Sequence, residues 1–394
     1  MAATVTARAA DREAAWRDGK RYLWTLGLMV PVLPFAGAAL WHQHHVAVFW
    51  WFTPIMAFVL LPLIDPFTGR DASNVPEASA AALAADRWYR YITYLYLPLQ
   101  YGVLVLGCWA WAHWTPGPAG QAGLAVSLGT VSGIGINAAH EMGHKREATE
   151  RWLSKLTLAA AGYGHFYVEH NRGHHTRVAT PQDPASARLG ESFWAFWPRT
   201  VAGSARSAWH LEAARLRRRG RPVVSLRNHN LNAWAMTAVL FAALAAAFGP
   251  GVLILLTAQA VFGFSLLEAV NYLEHYGLAR QRTASGRYEK VALRHSWNAV
   301  ALASNLALFH LQRHSDHHAY PTRRYQVLRS FDSAPQLPAG YATLVVAALI
   351  PPLWRRWMDP LVLAHYGGDV TLANLHPPQR ARLLARYGQG APQR

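Results

Sequence analysis

Three short clusters hold eight of the 20 histidines in this chain, and their spacing is that of metal ligands. His140-Glu141-Met142-Gly143-His144 sets two imidazoles one helical turn apart, on one face. Glu169-His170-Asn171-Arg172-Gly173-His174-His175 repeats the four-residue spacing with His170 and His174 and adds His175. In His314-Ser315-Asp316-His317-His318 the imidazoles fall at i, i+3 and i+4, again a single helical face. A ninth, His275, follows Glu274 at the end of an apolar run. One isolated histidine is ordinarily a satisfied core or surface residue. Three clusters describe a metal centre, and eight or nine imidazoles suffice for two metals with four or five ligands each. His165 and His310 lie close enough to the clusters for a supporting or spare-ligand role.

The ligand type leaves the element open, since imidazole suits zinc, copper, iron and nickel. His140-Glu141-x-x-His144 is also the zinc-peptidase signature, but a single catalytic zinc takes three protein ligands, fewer than are offered here. A metal-ion transporter would carry ionisable residues along its spans, whereas these stand at the span ends. Glu268 is the exception, seven residues before His275 and on about the same helical face. It is expected to face the bundle interior near the metals, or else to make a helix–helix hydrogen bond. Glu141, Glu169, Asp183, Glu274 and Asp316 are available to accept the second ring N–H of ligand histidines and so fix their tautomers.

The elements that position these residues are apolar runs. Fifty-two per cent of the 394 residues are hydrophobic and only 15% charged, yet the mean hydropathy is near zero, so the apolar residues are gathered into blocks. Six runs approach the ~20 residues a helix needs to cross about 30 Å of hydrocarbon: 22–41, 46–65, 92–113, 120–139, 232–249 and 251–272. They read as three hairpins, and the first is too long for a cleaved signal peptide. Basic residues Arg8, Arg12, Arg17, Lys20 and Arg21 place the N-terminus in the cytoplasm. Segments 66–91, 140–231 and 273–394 then share that side, with the Arg215–Arg221 and Arg380–Arg386 clusters and all three histidine boxes. Most of the formal charge of +17 is thereby accounted for by topology, not nucleic-acid binding. The stretch 340–353, short and carrying Pro351 and Pro352, reads as a packed or interfacial element and not a seventh span. The fold expected is all-α: residues 1–394 form one integral-membrane catalytic domain, a six-helix bundle with a helical cytoplasmic cap around a di-metal site. The lone Cys108 excludes a disulfide framework and any cysteine-ligated zinc, iron–sulfur or rubredoxin-type centre within the chain.

The segments HEMGHK, EHNRGHH, NYLEHYGL and LQRHSDHHAYPTRRYQVLR, with the Gly162–Phe166 and Asp183-Pro184 flanks, closely resemble the integral-membrane alkane 1-monooxygenases of bacteria, from about Tyr22 to beyond Met358. Membrane fatty-acid desaturases and hydroxylases share the three-box arrangement, but NYLEHYGL and the extended last box look like the alkane branch. The resemblance implies two non-haem irons held by His140, His144, His170, His174, His175, His275, His314, His317 and His318. It implies an inner-membrane enzyme that hydroxylates the terminal methyl of medium- or long-chain n-alkanes with dioxygen, taking electrons from rubredoxin, which is reduced in turn by an NAD(P)H-dependent reductase. A terminal C–H bond offers no polar handle, so an oxidising metal site and a dry channel are required. Trp51, Phe52, Met56 and Phe58 are candidates for lining that channel.

Overall fold

The computed structural model describes residues 16–114 and 116–388; Arg8 and Arg12 lie outside them. Among the described residues the chain is helical, with only isolated β-bridges. In chain order come α1 (Leu23–His44), α2 (Ala47–Phe67), α3 (Arg87–His113) and α4 (Gly117–Gly143). Then follow α5 (Ala148–Ala160) and α6 (Phe193–Arg218), α7 (His229–Phe248) and α8 (Val252–His275). The short α9 (His314–Ala319), α10 (Tyr341–Ala348) and α11 (Pro351–His365) complete the set used below. Helices α1, α2, α3, α4, α7 and α8 are long and apolar enough to cross a membrane, which makes the chain a multi-pass membrane protein.

The helix ends differ from the apolar runs where polar chemistry intervenes. Helix α3 starts at Arg87 because the Asp86 carboxylate accepts the Trp88 N–H at 2.9 Å, an N-cap worth about 1 kcal/mol. Helices α4 and α8 run on past their apolar runs, so His140 and His275 occupy their last turns instead of loops. Pro351 and Pro352 open α11, where a missing N–H costs nothing. The 340–353 stretch is packed: Tyr341, Leu344, Val345 and Ala348 are buried.

Helix α4 is the axis of the bundle, most of it buried where the other spans keep an exposed face. It packs on α8 backbone to backbone. A Cβ on Gly133 would stand 2.9 Å from the Gly263 carbonyl, and one on Gly263 would stand 3.1 Å from that of Gly129. Glycines at this crossing let the two helices that end in His140 and His275 approach closely, as small residues do between membrane helices.

Beyond the spans, buried ion pairs hold the cap. Glu212 of α6 is fully buried and binds Arg172 at 2.6 Å, Arg215 at 2.8 Å and the His229 N–H at 2.9 Å. It thus links the second histidine cluster to the start of α7. Arg313, also buried, donates to Asp71 Oδ1 at 3.1 Å and to the carbonyls of Asp71, Ser73 and Leu328, which anchors the start of α9.

Candidate metal centre

All nine expected histidines meet at one end of the bundle, in two groups. His140, His144, His170, His175 and His317 form the first, and His174, His275, His314 and His318 the second; within each, one nitrogen per ring lies within 4.8 Å of all the others. In the first group His317 Nε2 lies 2.9 Å from His140 Nε2 and 3.1 Å from His175 Nε2, which is itself 3.0 Å from His170 Nε2. In the second, His314 Nε2 lies 3.2 Å from His275 Nε2 and 2.9 Å from His318 Nε2. The groups abut, the His175 and His318 rings being 4.4 Å apart.

Hydrogen bonding among the rings cannot account for this packing. A neutral imidazole has one N–H and one lone pair, yet the His317 and His314 Nε2 atoms each face two other Nε2 atoms. His144 Nε2 and His174 Nε2 are buried without a partner, which is costly unless a cation takes the lone pair. Metal–nitrogen bonds of about 2.1 Å put neighbouring ligand atoms about 3.0 Å apart at right angles, in line with the spacing here. Burial first, then the neighbouring imidazoles, holds His144, His170, His175, His314, His317 and His318 well below the usual imidazole value, in the neutral form that ligates.

The partition departs from the helical-face expectation. Residues Glu169–His174 form a wide turn in which the His175 N–H reaches the His170 carbonyl, five residues back. His170 and His175 therefore converge, while His174, four residues after His170, turns to the other group. In α9, ordinary helical spacing keeps His314 and His318 together and sends His317 across.

The carboxylates take distinct places. Asp183 Oδ2 accepts His174 Nδ1–H at 2.9 Å, leaving Nε2 to point at the second group; Ser186 holds the same carboxylate at 2.6 Å. Glu274 Oε2 lies 3.2 Å from His314 Nε2, the separation of His275 Nε2 from the same atom, which sets its carboxyl beside the four-histidine group. Glu141, Glu169 and Asp316 face cations instead of imidazoles: Lys145 at 2.9 Å, Arg177 at 2.6 Å and Arg323 at 2.7 Å. Burial pushes the Glu169 carboxyl up to about 7, opposed by Ser207 and Arg177. Glu268 accepts from Tyr163 at 2.7 Å, Thr200 at 2.8 Å and Asn271 at 3.1 Å, a polar tie between α8, α6 and the loop after α5.

Of the two histidines near the clusters, His310 has both nitrogens engaged, by Asp71 at 2.7 Å and the Tyr325 carbonyl at 2.8 Å. His165 packs on Tyr163 outside both groups. Sequence reasoning missed two supports: the His295 carbonyl, 3.4 Å from His275 Nδ1, and Asp71, more than 200 residues from the Arg313 it binds. An arginine inside a histidine box was the one hint of the latter.

An apolar cavity of about 280 Å³ ends on the centre. His140, His170, His314 and Glu274 form its floor, and aliphatic residues of α1, α2, α8 and α10 its walls. Met56 and Phe58 line it; Trp51 and Phe52 do not. The Trp51 indole donates to the Ala119 carbonyl at 2.9 Å, and Phe52 packs toward Gly37 on α1. Along α4 the lining runs from Gly133 to His140, about 10 Å at 1.5 Å per residue.

A bundle of apolar helices closing on two histidine groups that could hold metal ions, under an apolar cavity, is the arrangement of a membrane enzyme. Residues 113–348 match the fatty acid desaturase family. The chain is 44% identical to an alkane 1-monooxygenase of Acinetobacter baylyi, over 94% of this chain and 92% of the relative. Against alkane 1-monooxygenase 1 of Alcanivorax borkumensis the identity is 45%, over 96% and 94%. The xylene/toluene monooxygenase hydroxylase component of Pseudomonas putida is 29% identical over 66% and 70%. The chain belongs to the fatty acid desaturase family and, within it, to the alkane 1-monooxygenases.

Proposed function

We propose that this chain hydroxylates the terminal methyl of medium- or long-chain n-alkanes at a pair of non-haem irons, with dioxygen as oxidant and rubredoxin as electron donor. One oxygen atom goes to the primary alcohol and the other leaves as water, which takes two electrons and two protons. The site faces the cytoplasm across the inner membrane, where an NAD(P)H-dependent reductase and rubredoxin are available. The observation that carries the reading is the apolar cavity whose floor is His140, His170, His314 and Glu274.

The nine histidines would hold the two irons, which would supply the dioxygen activation and C–H oxidation that no side chain can perform. The protein does the rest. Asp183 and the His295 carbonyl fix the tautomers of His174 and His275, so that each presents Nε2. The aliphatic walls hold an unbranched chain along α4 with only its end at the metals, and keep water from the floor. At about 280 Å³ the cavity lies just below the ~300–1,000 Å³ range of most ligand pockets, which favours a slender substrate. Among the described residues the polar side chains of the lining cluster at the floor, with no anchor at the far end for the headgroup of an acyl carrier, and this favours alkane over fatty-acyl substrates.

The test is protein purified in detergent, with metals counted by elemental mass spectrometry, then supplied with rubredoxin, its reductase, NAD(P)H and a medium-chain n-alkane. About two irons per chain, lost in His314→Ala, and a 1-alkanol product are expected. One zinc and no iron, or a double bond introduced into lipid, would overturn the reading.

A further inference from the structure

The wide turn Glu169–His174 sends adjacent histidines to different metal sites, and such turns are rare and inherently less stable than an α-helix. Glu212 ties down Arg172 and Asp183 ties down His174 from outside the turn, and a further clamp lies across the turn itself. Glu169 opens the turn and Arg177 follows it by eight residues, yet Arg177 Nη2 donates to Glu169 Oε1 at 2.6 Å. The ion pair lies across Gly173: a Cβ there would collide with Arg177 Nη2 and with Glu169 Oε1. Arg177 Nε also donates to the Gly173 carbonyl at 3.3 Å, and Nη2 to Ser207 Oγ of α6 at 2.6 Å. One guanidinium thus binds the first residue of the turn, a carbonyl inside it and the neighbouring helix.

We propose that the Glu169–Arg177 ion pair, laid over the bare Cα of Gly173, is a register clamp that keeps this turn wide and thereby assigns His175 to the five-histidine site and His174 to the four-histidine site. In an ordinary helix residues 170 and 174 share a face, and residue 175 lies about 100° further round. Without the clamp the segment relaxes toward that geometry, so the five-histidine site loses His175 and the four-histidine site loses His174. The four-histidine site falls to three imidazoles and loses its metal first. Glu169, Gly173 and Arg177 are positioning residues, and none need touch a metal. The inference rests on the two-metal reading above.

The test loads metal-depleted wild type, Gly173→Ala, Arg177→Ala and Arg177→Lys with Co(II), whose visible absorption reports its coordination, and titrates binding in detergent. Wild type taking up two ions establishes the two-metal reading; a single ion there would sink that reading and leave the clamp without a role. Given two in wild type, Gly173→Ala and Arg177→Ala are expected to bind the second ion 10–100-fold more weakly, as when ligand-orienting partners are removed elsewhere, with an altered absorption band. Arg177→Lys, which keeps the charge, is expected to restore part of the affinity. Two ions bound with wild-type affinity and spectrum in Gly173→Ala and Arg177→Ala would overturn the clamp. Should Gly173→Ala fail to fold, the two Arg177 variants decide the matter in the same way.

Discussion

His170 and His175 are five residues apart in the chain, and their Nε2 atoms are 3.0 Å apart in space. His174, the immediate neighbour of His175, turns its ring instead to His275 and His318, at 4.9 Å from each. The consequence is that ligands can be removed pairwise from one site or from both.

His170→Ala/His175→Ala takes two ligands from the five-histidine site and none from the other. About one metal per chain is expected to remain. His170→Ala/His174→Ala strikes both sites and is expected to retain far less. Elemental analysis of the two proteins separates this partition from one in which neighbouring histidines share a metal.

Asp183→Asn keeps the size of the side chain but exchanges an anionic acceptor for an amide beside His174. A 10–100-fold loss of metal affinity is expected, confined to one of the two ions. Measuring stepwise affinities checks it; equal weakening of both ions would count against the assignment of His174 to a single site.

Glu274→Gln replaces with an amide the carboxyl group whose Oε2 lies 3.2 Å from His314 Nε2. Weaker retention of the second ion and a fall of at least 10-fold in alcohol formation are expected, with helix content unchanged by circular dichroism. Wild-type retention and turnover would show that the carboxylate only packs.

Phe58 lines the cavity and Trp51 lies outside it. Phe58→Ala is expected to move the preferred alkane length upward by several carbons, whereas Trp51→Ala leaves the preference unchanged. Product yields across a series of n-alkanes read both.

In the metal-free protein the depressed histidines make stability depend on pH in a defined sense. His170, His175, His314, His317 and His318 titrate well below the ordinary imidazole value when folded. As pH falls below about 6.5 the unfolded chain takes up protons that the folded chain cannot, so stability present above that value is lost, by up to about 1.4 kcal/mol per group per pH unit. The melting temperature of metal-free protein should fall between pH 7 and 5. A flat profile would mean that these rings take up protons in the fold as readily as in the unfolded chain.

Much of the architecture was legible in the residues. Blocks of about twenty apolar residues can satisfy their backbone in lipid only as helices, so six spans follow from composition and length. Histidines three and four residues apart lie near one face of a helix, so spacing and the likeness of the boxes were enough to expect that the nine rings would gather at one place, as they do. The pairing of those rings was not legible. It depends on one extra residue in a helical turn, and the interactions over that turn, Arg177 on Glu169 across a glycine and Ser207 from α6, leave no periodic trace. Long-range supports were hidden for the same reason: Asp71 on Arg313 and the His295 carbonyl on His275 join segments that meet only when the bundle closes. Periodicity encodes which face a residue occupies; which metal it serves is decided by tertiary packing, because that sets the local helical pitch.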